Sequence, residues 1–321
     1  MALRQTLGTA FGAEQTAGTA KQAPNLQLGY AAAVGAAALA GLIPVFGKLY
    51  LSDLPPLVIA GFSNLLAGLV ILPLAPRPPF KGPDRQRLIA IALLGAGLAP
   101  ILYWVGLAAT SGSEAAMLMN VETVFTLLLA VAVLRERAGG PEVACVLGIV
   151  AGAVILTTNL GLAVQPAHLV GNLLLIGGTA LWAIDNNIST GLSRRHSPAA
   201  VAAWKNILGG GLVVVVAAAA GAELARVPSH LWGLFLAGGV GTGVSLTLFY
   251  VALRHIGAYR TSAIFGLGGI VGAAAAFFLL DERLSLVQVG GAALMLAAGL
   301  LLAVTHRNKE GAPKATGAAS P

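Results

Sequence analysis

Two ionisable side chains stand inside long apolar stretches, and their types and positions are the first indication of chemistry. Glu122 is the only charged residue between Ala115 and Leu134, and Lys205 the only one between His196 and Ala222. A charge at the bilayer centre costs roughly 2.5–3.5 kcal/mol on insertion scales, so such residues usually face a cavity and take a partner. A carboxylate at that depth suits binding of a substrate amine or carriage of a proton. The plainer alternatives are a permanent ion pair or a shallow interfacial position. Lys205 suits pairing with Glu122 or with a substrate carboxylate, or it snorkels to the interface on its long stem. A third polar group, Asp185-Asn186-Asn187, interrupts an apolar run after Trp182. Three successive polar residues cover most of a helical circumference, so at least one faces protein or water. The alternative for Asp185 is a place near the interface, shortly before Arg194-Arg195.

Asn120, Asn206, Trp104 and Tyr250 join Glu122, Lys205, Asp185 and Asn186 as candidate lining of a solute cavity. Tyr103, Trp182 and Trp204 are further aromatic candidates, although Tyr and Trp also form belts at membrane interfaces. Signals for catalysis are sparse. The five histidines are scattered without metal-ligand spacing, and the single cysteine, Cys145, offers no cluster and reads as a small packing residue. A Walker-type glycine loop with Lys-Ser/Thr is missing, so ATP hydrolysis is not expected. Gly112-Ser113 with a distant histidine resembles an intramembrane serine protease only superficially. No metal and no cofactor are expected.

The elements that must hold these residues follow from composition. Of 321 residues, 57% are hydrophobic and 10% charged, against roughly 25% charged in soluble domains. That excludes a solvated enzyme surface and, away from the ends, disorder. One cysteine excludes an internal disulfide framework. A spanning helix needs about 20 apolar residues. Stretches poor in charge supply ten: Gln22–Gly47, Leu54–Pro76, Leu88–Ser113, Ala115–Leu134, two within Val143–Ile184, His196–Ala222, Val227–Leu253, Thr261–Leu280 and Leu284–Thr305. A turn-like segment from Thr158 to Pro166 divides the longest stretch. Alternating aromatic strands are missing, so the expected class is an all-α polytopic membrane protein rather than a β-barrel.

With a cytoplasmic N-terminus, 15 of the 19 basic residues fall inside, three (Lys48, Arg226 and Arg283) outside, and Lys205 within the membrane. The positive-inside rule then puts both termini in the cytoplasm of a cell (inner) membrane protein. The net charge of +7 expresses this bias and requires no nucleic acid. Residues 1–27 and 306–321 read as disordered tails.

The two halves resemble each other. Ala38–Gly68 aligns without gaps to Ala180–Gly210, with Pro56 on Pro198 and Asn64 on Asn206, and Leu134-Arg135-Glu136-Arg137 aligns to Leu280-Asp281-Glu282-Arg283. Pro44 falls on Asn186, and Lys205 on Ser63. Two units, 28–160 and 167–305, each hold five helices. Because five is odd, the second unit enters the membrane from the opposite side, as in transporters whose site lies at the midplane between inverted repeats.

Met119-Asn120-Val121-Glu122-Thr123-Val124-Phe125-Thr126, running on to Arg135-Glu136-Arg137, and Phe277-Phe278-Leu279-Leu280-Asp281-Glu282-Arg283 look like the repeat motifs of the EamA family of the drug/metabolite transporter superfamily. The resemblance covers residues 29–305 or so. It implies ten helices in two inverted five-helix repeats and transport of a small solute such as a metabolite, amino acid or drug. The direction implied is export by alternating access, with a proton carried by Glu122 as the simplest coupling. An ion or solute channel and a membrane-embedded enzyme are the alternative classes. Family members often carry a proline about thirteen residues before the Glu of each motif. Thr123 and Gly269 stand there in this chain, which weakens the expectation of a helix break. Glu136, Arg137, Glu282 and Arg283 are expected to cap helices and anchor loops, and Pro44 to interrupt the first helix.

Overall fold

The computed structural model describes residues 25–75, 80–134, 139–158 and 166–310. Glu136 and Arg137, residues 159–165, where a turn is expected, and residues 1–24 and 311–321 lie outside them. Among the described residues the chain is helical and has no strands.

The helices run in chain order as α1 (Leu26–Tyr50), α2 (Pro56–Leu74), α3 (Pro83–Ala108), and α4, built from Gly112–Leu118, a tight turn at Met119–Val121 and Glu122–Leu134. Then come α5 (Gly140–Thr158), α6 (Pro166–Arg195), α7 (Pro198–Ala219) and α8 (Pro228–Ile256). The helical run Ser245–Phe265 cannot be straight. The rings of Phe249 and Phe265 lie 4.9 Å apart, whereas a straight helix would separate them by about 24 Å. The chain therefore reverses after α8 and enters α9, whose second part is Gly268–Leu279, and ends in α10 (Leu286–Glu310). The sequence supplies the starts. Proline opens α2, α3, α6, α7 and α8, where its missing N–H costs nothing and its φ suits the first turn. Asn25 caps α1 by accepting the Leu28 N–H at 3.0 Å.

Polar contacts at the helix ends give each helix its direction. On one face, Asn25 at the start of α1 donates to His255 at the end of α8. On the same face Asp84 at the start of α3 meets Arg195 and His196 at the end of α6, at 2.9 and 2.8 Å. On the other face, Glu282 after α9 meets the start of α4. Near the start of α6, Asn172 donates to Glu114. Hence α1 and α6 run in opposite directions and the halves are inverted. The helix pairings agree with exchange of the halves: α2 packs on α7, α4 on α9, α5 on α10, and the α1–α8 pair corresponds to α6–α3.

Small residues make these pairings close. A Cβ on Gly68 would stand 2.7 Å from the Ala203 carbonyl, and one on Gly152 2.6 Å from that of Gly291. Such stripes replace the hydrophobic drive that lipid cannot supply. Large apolar side chains such as Leu147, Val215 and Phe278 point outward, as a bilayer requires.

Two local expectations are corrected. α6 is continuous through Asp185-Asn186-Asn187, because each polar side chain finds a protein acceptor or ion partner without leaving the helix. Conversely, α4 breaks at Met119–Val121 and α9 turns at Gly266 and Leu267, at repeat-equivalent places, without proline. In α4 the Asn120 amide donates to the Met117 carbonyl at 3.0 Å, competing with the backbone ladder. In α9 the break sits among glycines. α1 is interrupted at Leu42, just before Pro44.

Candidate functional site

A cavity of about 110 Å³ lies between the halves. The first four helices of each half contribute to its wall, and neither α5 nor α10 does. Interrupted helices surround it. Besides the breaks in α1, α4 and α9, α3 and α8 widen into π-helical turns at Leu94–Leu98 and Phe235–Val244, again at repeat-related places. Such turns free carbonyls and often mark functional sites. Gly95 offers its carbonyl to Trp182 Nε1 at 2.9 Å, and Thr242 Oγ1 donates to the Ala237 carbonyl at 3.0 Å.

The structure brings Glu122, Lys205, Asp185, Asn186, Asn206, Trp104 and Pro44 to this wall. Lys205 takes a different carboxylate from the one weighed in the sequence. Its Nζ lies 2.5 Å from Asp185 Oδ2, with both side chains almost fully buried. A closed ring of hydrogen bonds surrounds the pair. Lys205 also donates to the Tyr250 hydroxyl at 3.0 Å, Tyr250 donates to Ser189 at 2.9 Å, and Ser189 donates to Asp185 Oδ1 at 3.0 Å. The ring joins α6, α7 and α8. Snorkelling and an interfacial position for Asp185 are thereby both replaced by a buried pair. Glu122 accepts one hydrogen bond, from Asn186 Nδ2 at 2.7 Å, and among the described residues no cation pairs with it.

Two candidates stand elsewhere. Asn120 faces a separate small void with Thr123, Gly266 and Leu267 between the α4 and α9 breaks. Tyr250 lies behind the wall and acts through Lys205. Trp204 packs away from the cavity against the cluster that includes Ile71 and Phe249, whereas Tyr103 and Trp182 do line it, their rings 5.4 Å apart. Sequence reading left Asn64, Thr242 and Ser245 out of the site. The match of Asn64 to Asn206 was the available signal. Each donates to the carbonyl four residues earlier in its helix, at 2.9 and 2.8 Å.

Polar clusters close both ends of the bundle. At one end Asp84 holds Arg87, Arg195 and His196. At the other, Glu114 accepts from Thr110, Asn172 and Gln288 at 2.7–2.8 Å, tying α4, α6 and α10 to the loop that follows α3. Glu282 accepts from the backbone N–H groups of Gly112 and Ser113, at 2.9 and 2.8 Å, and from the Ser113 hydroxyl. It caps α4 from the loop after α9. Arg283 is exposed, 3.8 Å from Asp281.

Inverted five-helix halves around a central, largely apolar cavity that carries Glu122, Asp185 and Lys205, with broken helices on its wall, define a polytopic membrane protein of the inverted-repeat transporter class. The chain belongs to the EamA-like transporter family, which it matches over residues 27–158 and 169–304, within the drug/metabolite transporter superfamily. An uncharacterized transporter of Methanothermobacter thermautotrophicus (strain Delta H) is 27% identical in an alignment 294 positions long that covers 85% of each chain. A solved crystal structure matches with a TM-score of 0.65 at 15% identity, over 88% of this chain and 99% of that one, and shares the fold.

Proposed function

We propose that this protein is a secondary-active carrier, working as an exporter, that moves a small solute by alternating access and couples it to a proton at Glu122. Units 28–160 and 167–305 rock about the cavity, with both termini on the cytoplasmic side of the cell membrane. The observation that carries the reading is Glu122 itself, a buried carboxylate on the cavity wall with one amide donor and no cation paired to it among the described residues. Lys205 and Asp185 neutralise each other, so Glu122 is the group left to exchange a proton for a solute. The clusters at Asp84 and at Glu114 support the reading as the two end closures that rocking would open in turn.

The test is transport in proteoliposomes with an imposed pH step, using a panel of amines, amino acids, sugars and carboxylates. Glu122→Gln should abolish gradient-driven accumulation while retaining solute exchange between equilibrated compartments, since exchange needs the site and the rocking motion but no net proton movement. Glu122→Asp should keep partial coupling. Accumulation by the Gln form at the unmodified rate would remove Glu122 from the coupling role.

A further inference from the structure

We propose that the solute is a compact protonated monoamine with an apolar body and no carboxylate. The inference rests on the transport reading above and adds the substrate class to it.

Charge gives the first argument. The cavity wall carries two carboxylates and one lysine, and the lysine is held by Asp185 and Tyr250. The net charge facing the cavity is therefore that of Glu122 when it is ionised. A solute carboxylate would meet this negative wall with no cation of its own, whereas an ammonium would take the place of the proton on Glu122.

Hydrogen-bond polarity gives the second argument, independently of charge. Asn64 and Asn206 turn their NH2 groups onto backbone carbonyls of their own helices. Thr242 donates its hydroxyl proton to the Ala237 carbonyl, and Ser245 donates its own to the Ala36 carbonyl at 2.8 Å. Each amide keeps its oxygen and one N–H, and the two hydroxyls, their protons engaged, keep oxygen lone pairs, so all four side chains on the wall can accept from a ligand. Those acceptors match a ligand with N–H donors, and an ammonium offers up to three.

Shape and surface give the third. Tyr103, Trp104 and Trp182 form a packed aromatic group on the wall, suited to an apolar body and to a cation over a ring face. A dry engineered cavity of about 150 Å³ takes benzene, so about 110 Å³ sets an upper bound of one ring or a short branched chain in this conformation.

The test uses the full chain and four probes of one shape: 2-phenylethylamine, phenylalanine, 3-phenylpropionate and phenylacetamide. Binding is read by intrinsic tryptophan fluorescence, and movement by counterflow of radiolabelled probe in proteoliposomes. 2-Phenylethylamine should bind at least about tenfold more tightly than the other three, the worth of one charge-assisted hydrogen bond. Glu122→Gln should erase the preference and Glu122→Asp should keep it. Tighter binding or counterflow of phenylalanine, 3-phenylpropionate or phenylacetamide would overturn the amine assignment and leave the transport reading standing. Binding of the amine without counterflow would uphold the assignment and refute transport. Binding of none of the four would overturn the assignment.

Discussion

Removing Lys205 should destabilise the protein more than removing Lys205 and Asp185 together. The pair is 2.5 Å apart, and its side chains are 3% and 1% exposed. In Lys205→Met the Asp185 carboxylate keeps the Ser189 donor but loses its cation, and Tyr250 loses a donor. Breaking one side of a buried pair costs about 3–5 kcal/mol. Because the pair lines a cavity instead of lying in close-packed core, the lower end, about 3 kcal/mol, is expected. Asp185→Asn alone strands the ammonium and should lose a similar amount. The double variant strands neither charge and should recover most of the loss, giving a coupling energy of about 2 kcal/mol or more. The assay is reversible unfolding in mixed micelles, run as a double-mutant cycle. Additive single effects would refute the pairing. The same cycle between Glu122→Gln and Lys205→Met should be close to additive by comparison, since Glu122 bonds to Asn186 instead.

Adjacent glycines should respond oppositely. Gly210→Ala puts a Cβ 2.8 Å from the Gly61 carbonyl across the α2–α7 contact and should lose about 1–3 kcal/mol. Gly211→Ala meets nothing within 4 Å and should gain up to about 1 kcal/mol in helix propensity; both are checked by thermal unfolding. Glu282→Ala removes the cap on α4 and should lose about 1–2 kcal/mol, with solute preference unchanged in the binding assay. In a Cys145→Ala background, cysteines introduced at Lys81 and Ser229, both exposed, should react with an impermeant thiol reagent from opposite sides, Lys81→Cys from the cytoplasm. Labelling of both from one side would remove the inverted topology.

Helix number, the inverted halves and most of the polar side chains on the cavity wall were legible in the residues. They depend on local quantities: the length of apolar runs, the placement of basic residues and matched Pro, Asn and Glu-Arg positions. The prolines that open α2 and α7 mark the same point in both halves, and a buried charge announces itself wherever it stands. Partnership was not legible. Asp185 and Lys205 sit on neighbouring helices with side chains that must point at each other, and the sequence says nothing of the rotation of α6 against α7. The same rotation placed Asn186 on Glu122 and put Tyr250 behind the lysine. Asn120 looked equivalent to Glu122 two residues on, but the turn at Met119–Val121 aims it into a different void. The end cluster at Asp84 joins α3 to the end of α6, and the one at Glu114 joins α4, α6 and α10, so no spacing along the chain foretells them. What the chain determined alone is which segments must enter the bilayer and that the two halves run through it inverted. Which polar groups meet there was decided by the packing of small-residue stripes, because that packing sets the rotation of each helix about its axis.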